Sequence, residues 1–268
     1  ASRLIDAAFA RGSFDWATEV CEPLPIRVFI EIMGIDESNA DFLAQSANQL
    51  VTIDDPELAP PQEAYDRVRE RGLEPRLLPF RSPAALDLFD YGRRMAAERR
   101  DSPRDDLLTK LVQAEWEGDR LSDSEFVNFF QLLIFAGNET TRTSLQQGML
   151  ALIEHPEQLE LLREDPELIP HAVDEILRWA TPIYYFRRTA AKEAELRGQV
   201  IQPGEKVVMY YISGNFDEEV FEEPYSFDVT RPTAKHLTFG GGGPHFCLGA
   251  WLARMQVGVV LEEFLARD

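Results

Sequence analysis

The stretch His236–Arg254, HLTFGGGGPHFCLGAWLAR, sets four consecutive glycines ahead of Cys247, one of two cysteines in the chain. Glycine accepts positive φ and lets the backbone pass close to another surface without side-chain obstruction. The residues after the thiol, LGAWLARMQVGVVLEEFL, carry the apolar spacing of a helix. That reading puts Cys247 at the first turn, where unpaired N–H groups and a partial positive charge favour the thiolate. A thiolate beside backbone that can lie flat suggests a metal held by one sulfur beneath a planar ligand. A plain glycine turn and a small packed cysteine are commoner outcomes, and these residues alone leave them open. A phosphate loop fails for want of Lys-Ser or Lys-Thr after the glycines. A zinc site has His245 beside Cys247, but His155, His171 and His236 are scattered.

The totals narrow the classes. With 268 residues and 44% hydrophobic content, the chain can bury a sizeable core, so disorder is not the default. A formal charge of -20 repels polyanions and argues against nucleic acid. Cys21 and Cys247 are too few for a disulfide framework, which suits a reducing cytoplasm, and Cys21, in VCEPLPI, reads as packing. No apolar run reaches the length of a transmembrane segment, and the first residues do not read as a secretion signal.

Helical signals dominate the pass along the chain. They fall at Leu4–Phe9, at Pro25 to Gly34, on to about Leu50, at Ala84 to Arg100, and at Asp105 to Gly118. Between them, Asp54 to Pro83 reads as a long irregular connection, disordered or a lid. Ser122-Asp-Ser-Glu125 offers a capping box, and FVNFFQLLIFAG after it is apolar almost all round, predicting a helix buried through the core. Two shorter helices are expected after Pro156, the second over 171–179. Beyond Thr181-Pro182, β-branched and aromatic residues flank Pro203-Gly204, a hairpin signal. The fold class is mainly α with a small β portion.

Phe239-Gly240, Gly243, His245, Cys247 and Gly249 resemble the haem-binding loop of the haem-thiolate monooxygenases, the cytochrome P450 family, with one residue more than its commonest form between Phe239 and Cys247. Ala136-Gly137-Asn138-Glu139-Thr140-Thr141 is similar to the family's oxygen-activation segment. A mid-helix glycine costs about 1 kcal/mol against alanine, and polar groups inside an apolar helix need partners. Packing alone explains neither.

The resemblance implies the following expectations. Cys247 ligates the iron of haem b, and Phe239, Gly240, Gly249 and Ala136 lie against the cofactor. His245 and Arg188 hold its propionates, although spacing does not separate Arg188 from Arg187. Glu139 and Thr140 serve proton delivery. Glu175 and Arg178, three apart on one helix face, join Arg231 in a buried structural network. Arg254 is either offered to an electron donor or solvated. The donors are ferredoxin and ferredoxin reductase. The segments GNFDEEVFEEPYSFDVTR and AGNETTRTSLQQGM are similar to bacterial steroid side-chain monooxygenases, which implies a bulky apolar substrate such as cholest-4-en-3-one, with Leu133, Ala136 and Ile183 to Phe186 as candidate pocket residues. Terminal hydroxylation of methyl-branched lipids is the second expectation, and a haem-binding protein without turnover the third. Against the family's length, residues 1–268 read as one incomplete domain, a fragment expected to be inactive alone.

Overall fold

The computed structural model describes residues 1–232 and 235–267. In chain order the helices and strands are α1 (Ser2–Phe9), α2 (Pro23–Met33), α3 (Ala40–Val51), α4 (Gln62–Glu70), α5 (Ala84–Asp101), α6 (Leu107–Gln113), β1 (Glu115–Trp116), β2 (Asp119–Arg120), α7 (Asp123–Glu154), α8 (Pro156–Glu164), α9 (Ile169–Ala180), β3 (Tyr185–Thr189), β4 (Ala194–Leu196), β5 (Gln199–Ile201), β6 (Lys206–Tyr210), α10 (Tyr211–Asn215) and α11 (Ala250–Leu265). They form two compact units, one of Asp15–Arg142 and the other of Ala1–Phe14 with Thr143–Asp268.

In the Asp15–Arg142 unit the core is built from Ile26, Ile30 and Met33 of α2, Leu43, Ala47 and Leu50 of α3, Leu88 and Tyr91 of α5, and Phe126, Phe130 and Ile134 of α7. Each set recurs at three- or four-residue spacing, so each helix turns one stripe inward. Cys21 is buried here, and desolvation pushes its thiol up to about 12, as a packing residue should behave. The first turn of α7 carries the expected capping box: Ser122 N–H donates to Glu125 Oε2 at 2.8 Å, and Glu125 N–H to Ser122 Oγ at 3.3 Å.

Gly34 ends α2 in the left-handed region at φ 64°, and a Cβ there would collide with the Asp106 carboxylate. That carboxylate receives Arg99 Nε at 2.7 Å, and Arg99 Nη2 donates to the Gly34 carbonyl at 2.6 Å. Gly34→Ala is expected to cost about 2–3 kcal/mol, combining left-handed strain with displacement of a buried ion pair. Denaturant unfolding checks it, and a loss under about 0.5 kcal/mol, the range of an ordinary surface substitution, would mean the site relaxes freely.

Three expectations need correction in this unit. The Asp54–Pro83 connection contains α4, whose only buried residues, Ala64 and Val68, are too few to show as periodicity within a charged background. Asp66–Arg69 and Arg71–Asp90 pairs, at 2.7 and 2.6 Å, brace it. The helix expected to Gly118 stops at Gln113, because Glu117 and Gly118 take φ of 53° and 90° and turn β1 back onto β2. Finally, α7 is not buried all round: Leu132 is 52% exposed, and Ala136 and Gly137 are exposed with it.

In the other unit, α9 buries Ile169, Ala172, Val173, Ile176 and Leu177 and packs on α11, with Val173 Cγ2 3.6 Å from where a Cβ on Gly258 would lie. α1 packs on α11 as well, tied by Ser2 to Glu263 at 2.6 Å and Arg267 to Asp6 at 2.7 Å. The hairpin expected across Pro203-Gly204 does not form. β5 pairs with β4 through a tight turn at Arg197 and Gly198, with φ of 49° and 79°. β6 pairs instead with β3, Tyr185 opposite Tyr210 and Thr189 opposite Lys206. Two bonds lead into that ladder, Gly204 N–H to the Ala190 carbonyl at 2.8 Å and Ala190 N–H to the Glu205 carbonyl at 2.9 Å.

Candidate functional site

The glycine loop is an exposed arch. Gly240, Gly242 and Gly243 take φ of 88°, 98° and 77°, conformations that side chains would strain. The arch closes where Cys247 N–H donates to the Phe239 carbonyl at 3.0 Å. Cys247 is a free, exposed thiol. It stands ahead of the helix rather than within its first turn, because α11 starts at Ala250 with Gly249 as N-cap. The Cys247 carbonyl accepts from Ala250 N–H at 3.3 Å. His245, Phe246 and Leu248 are exposed around the thiol, while Phe239 is buried behind it.

The residues behind the loop are held by α9 and α11. Arg178 is fully buried and donates to both Glu175 oxygens, at 2.7 and 2.8 Å. Arg231 Nε reaches Glu175 Oε2 at 3.1 Å, so one carboxylate serves two guanidinium groups. Arg178 also donates to the carbonyls of Asn215 and Pro224, at 2.8 and 2.9 Å, which satisfies the fork that a buried arginine must pair. Asn215 carries the network forward: its Oδ1 accepts Leu237 N–H at 2.6 Å, and its Nδ2 donates to Thr238 Oγ1 at 3.1 Å. Asn215 was not singled out from the sequence, where nothing separates it from an ordinary turn asparagine. Arg254 is not a solvated residue. It donates to Asp174 at 2.8 Å and lies 4.5 Å over the Phe239 ring.

On α7, within the Asp15–Arg142 unit, Thr140 Oγ1 donates to the Ala136 carbonyl at 2.7 Å. Glu139 Oε2 accepts from Arg142 at 2.6 Å, while its buried Oε1 has no hydrogen-bond partner. Burial raises the Glu139 carboxyl above the usual range, with Arg142 opposing the shift. Arg142 also donates to Asn48 at 3.1 Å. It was missed, although its spacing of three from Glu139 was a readable signal. Arg187 and Arg188 lie on exposed β3, Arg188 beside the Phe186 ring at 5.7 Å. Tyr184, Tyr185 and Phe186 are exposed, and Leu133 packs on the core of its unit.

The cytochrome P450 profile matches residues 87–267. The chain belongs to the cytochrome P450 family. It is 40% identical over 263 residues to a steroid C26-monooxygenase of Mycolicibacterium smegmatis, covering 98% of this chain and 57% of that one. A methyl-branched lipid omega-hydroxylase of Mycobacterium tuberculosis is 39% identical over 267 residues, covering 98% and 59%. A Mycobacterium marinum cytochrome P450 solved with pseudoionone superposes with a TM-score of 0.85 at 40% identity, over 99% of this chain and 61% of that one. The chain thus spans a little over half the length of the curated relatives it matches. The mainly α cytochrome P450 fold with a small β portion is that of these relatives.

Family membership implies a haem-thiolate cofactor. The loop suits one: a single exposed sulfur, glycines at 241–243 around which a Cβ would meet open space, and apolar Phe246 and Leu248 beside the exposed His245 imidazole, a hydrogen-bonding group. That combination matches a flat group with an apolar body and acidic edges. No helix of the described residues is long and apolar enough to cross a membrane.

Proposed function

We propose that this cytochrome P450 chain is part of a monooxygenase that inserts one atom of O2 into an unactivated C–H bond of a bulky apolar molecule. The terminal methyl of a steroid side chain, as in cholest-4-en-3-one, is the substrate of first choice. Ferredoxin, reduced by ferredoxin reductase, supplies the electrons, and protons from solvent let the second oxygen atom leave as water. The observation that carries the reading is the exposed Cys247 closing a positive-φ glycine arch in a chain of this family. Support for the substrate comes from the steroid C26-monooxygenase relative, and the lipid hydroxylase at nearly equal identity favours methyl-branched lipids as the second reading. A cytoplasmic setting fits two unpaired cysteines.

Cys247 would hold haem b through its thiolate, with His245 and Arg188 as the groups for the propionates and Phe239, Gly240, Gly249 and Ala136 as the residues for the ring. Once bound, the haem supplies oxygen activation, and a thiolate ligand pushes electron density that favours O–O cleavage. Glu139 would hold the proton at Oε1, the oxygen Arg142 leaves unengaged. Its raised pKa keeps a larger protonated share at neutral pH than an ordinary carboxyl. Thr140, whose hydroxyl donates to the Ala136 carbonyl in this structure, would serve the same delivery by turning that hydroxyl toward the proton path.

Two measurements on the full-length protein test this. The ferrous-CO difference spectrum should show the strongly red-shifted Soret band of thiolate ligation, and cholest-4-en-3-one should shift the spin state. A histidine-type spectrum would reject the reading; a spin-state response to branched fatty acids alone would select the second substrate. Glu139→Gln is expected to lower turnover by about a hundredfold while the ferrous-CO band stays, because proton delivery and thiolate ligation are separate. Turnover within about twofold of wild type would remove Glu139 from the proton path.

A further inference from the structure

The cluster behind the cysteine loop holds more than the glutamate–arginine network. Consecutive residues of α9 point their carboxylates at different partners. Glu175 pairs with Arg178 and Arg231, while Asp174 receives Arg254 Nε at 2.8 Å and lies 3.4 Å from His236 Nε2. Asp174 and His236 are both buried, and Arg254 is 28% exposed. Burial pushes the Asp174 carboxyl up, but hydrogen bonds from His236 and Arg254, with their charges, outweigh it and hold the group below the usual range.

The guanidinium of Arg254 then lies 4.5 Å from the centre of the Phe239 ring and 5.9 Å from that of Trp251. His236 also packs on Phe239, ring centres 5.7 Å apart. Each residue from 236 to 239 is pinned: His236 at Asp174, Leu237 by Asn215, Thr238 by its hydroxyl donating to the Leu177 carbonyl at 2.8 Å, and Phe239 under Arg254. Around the glycines at 241–243 the loop is open, since a Cβ at any of them would meet nothing within 4 Å. The chain returns at Phe246, whose ring centre lies 6.4 Å from that of Phe239, and at Cys247, whose N–H donates to the Phe239 carbonyl.

We infer that Asp174 and Arg254 are positioning residues for the Cys247 thiolate, acting through Phe239: the Asp174 carboxylate fixes the Arg254 guanidinium, whose face fixes the aromatic ring and carbonyl to which the thiol's own N–H is tethered. The inference rests on the haem-thiolate reading of Cys247. It assigns Arg254 inward, to the sulfur, rather than outward to an electron donor. An arginine held bidentately or by stacking is not equivalent to lysine, and a cation over a partly desolvated ring is an attraction that a neutral amide lacks.

The test uses the full-length haem-loaded protein as wild type, Asp174→Asn, Arg254→Gln, Arg254→Lys and the Asp174→Asn/Arg254→Gln double variant. Haem content, the ferrous-CO spectrum and the reduction potential are recorded for each. In Arg254→Gln and Asp174→Asn, the ratio of thiolate to non-thiolate Soret band should fall about fivefold, the effect of one charge-assisted hydrogen bond. The potential should shift in the haem that remains. Arg254→Lys should recover part of the ratio, and the double variant should add little to either single one, because both break the same chain of contacts. If Arg254→Gln does not fold, Asp174→Asn and Arg254→Lys are read in the same way. Unchanged band ratio and potential with reduced turnover would place Arg254 at a donor-docking surface and overturn the inference. So would additive losses in the double variant. A wild type without the thiolate band would sink the haem-thiolate reading itself, which separates the two failures.

Discussion

Cys247→Ser should remove the thiolate Soret signature completely and lower monooxygenase turnover by more than about a thousandfold, since a serine hydroxyl stays protonated where a thiol ionises and cannot supply the same electron density. The fold should hardly notice. Cys247 is exposed, and its structural contribution is a backbone bond from its N–H to the Phe239 carbonyl, which serine keeps. Stability of the haem-free protein should therefore stay within about 0.5 kcal/mol of wild type, the range of an ordinary surface substitution, while the haem-loaded protein loses whatever the ligand contributes. The experiment pairs denaturant unfolding of the haem-free protein with the ferrous-CO spectrum of the haem-loaded full-length protein. A red-shifted band that survives would mean another residue ligates the metal.

Glu175→Ala should have the largest effect on folding. Both side chains of the Glu175–Arg178 pair are 0% exposed, and Arg231 shares the same carboxylate. Removing it strands a buried guanidinium, at a cost of about 3–5 kcal/mol. Small domains have about 5–15 kcal/mol in all. The same carboxylate accepts the Asp228 N–H at 3.1 Å, so the segment leading to Arg231 loosens as well. Urea unfolding of the variant gives the number, and a loss below about 1 kcal/mol would show that water reaches Arg178 and replaces the missing partner. Glu175→Gln should lose less, because an amide oxygen still accepts one of the two Arg178 bonds.

The helices announced themselves wherever one signal was local. The Ser122–Glu125 box, the apolar spacing of α9 and Gly34 after α2 each lie within a few residues of the element they define. The cysteine arch was readable for the same reason, since its glycines, its thiol and the following helix are contiguous. α4 was not, because two buried residues in nine leave no period to detect.

Tertiary structure decided what depends on distant partners. Whether the strand after Pro203-Gly204 pairs with its neighbour or with β3 is a competition between turns, and the positive-φ pair at Arg197-Gly198 wins it. Which face of α7 stays open at Ala136 and Gly137 follows from how many helices its other face meets in the core. That Arg254 serves Asp174 and Phe239, and that Arg142 reaches Asn48 of α3, depends on side-chain geometry across elements. A sequence states which residues can ionise or stack; only folding brings a carboxylate 80 positions away to within 2.8 Å of its arginine, the range of a charge-assisted hydrogen bond.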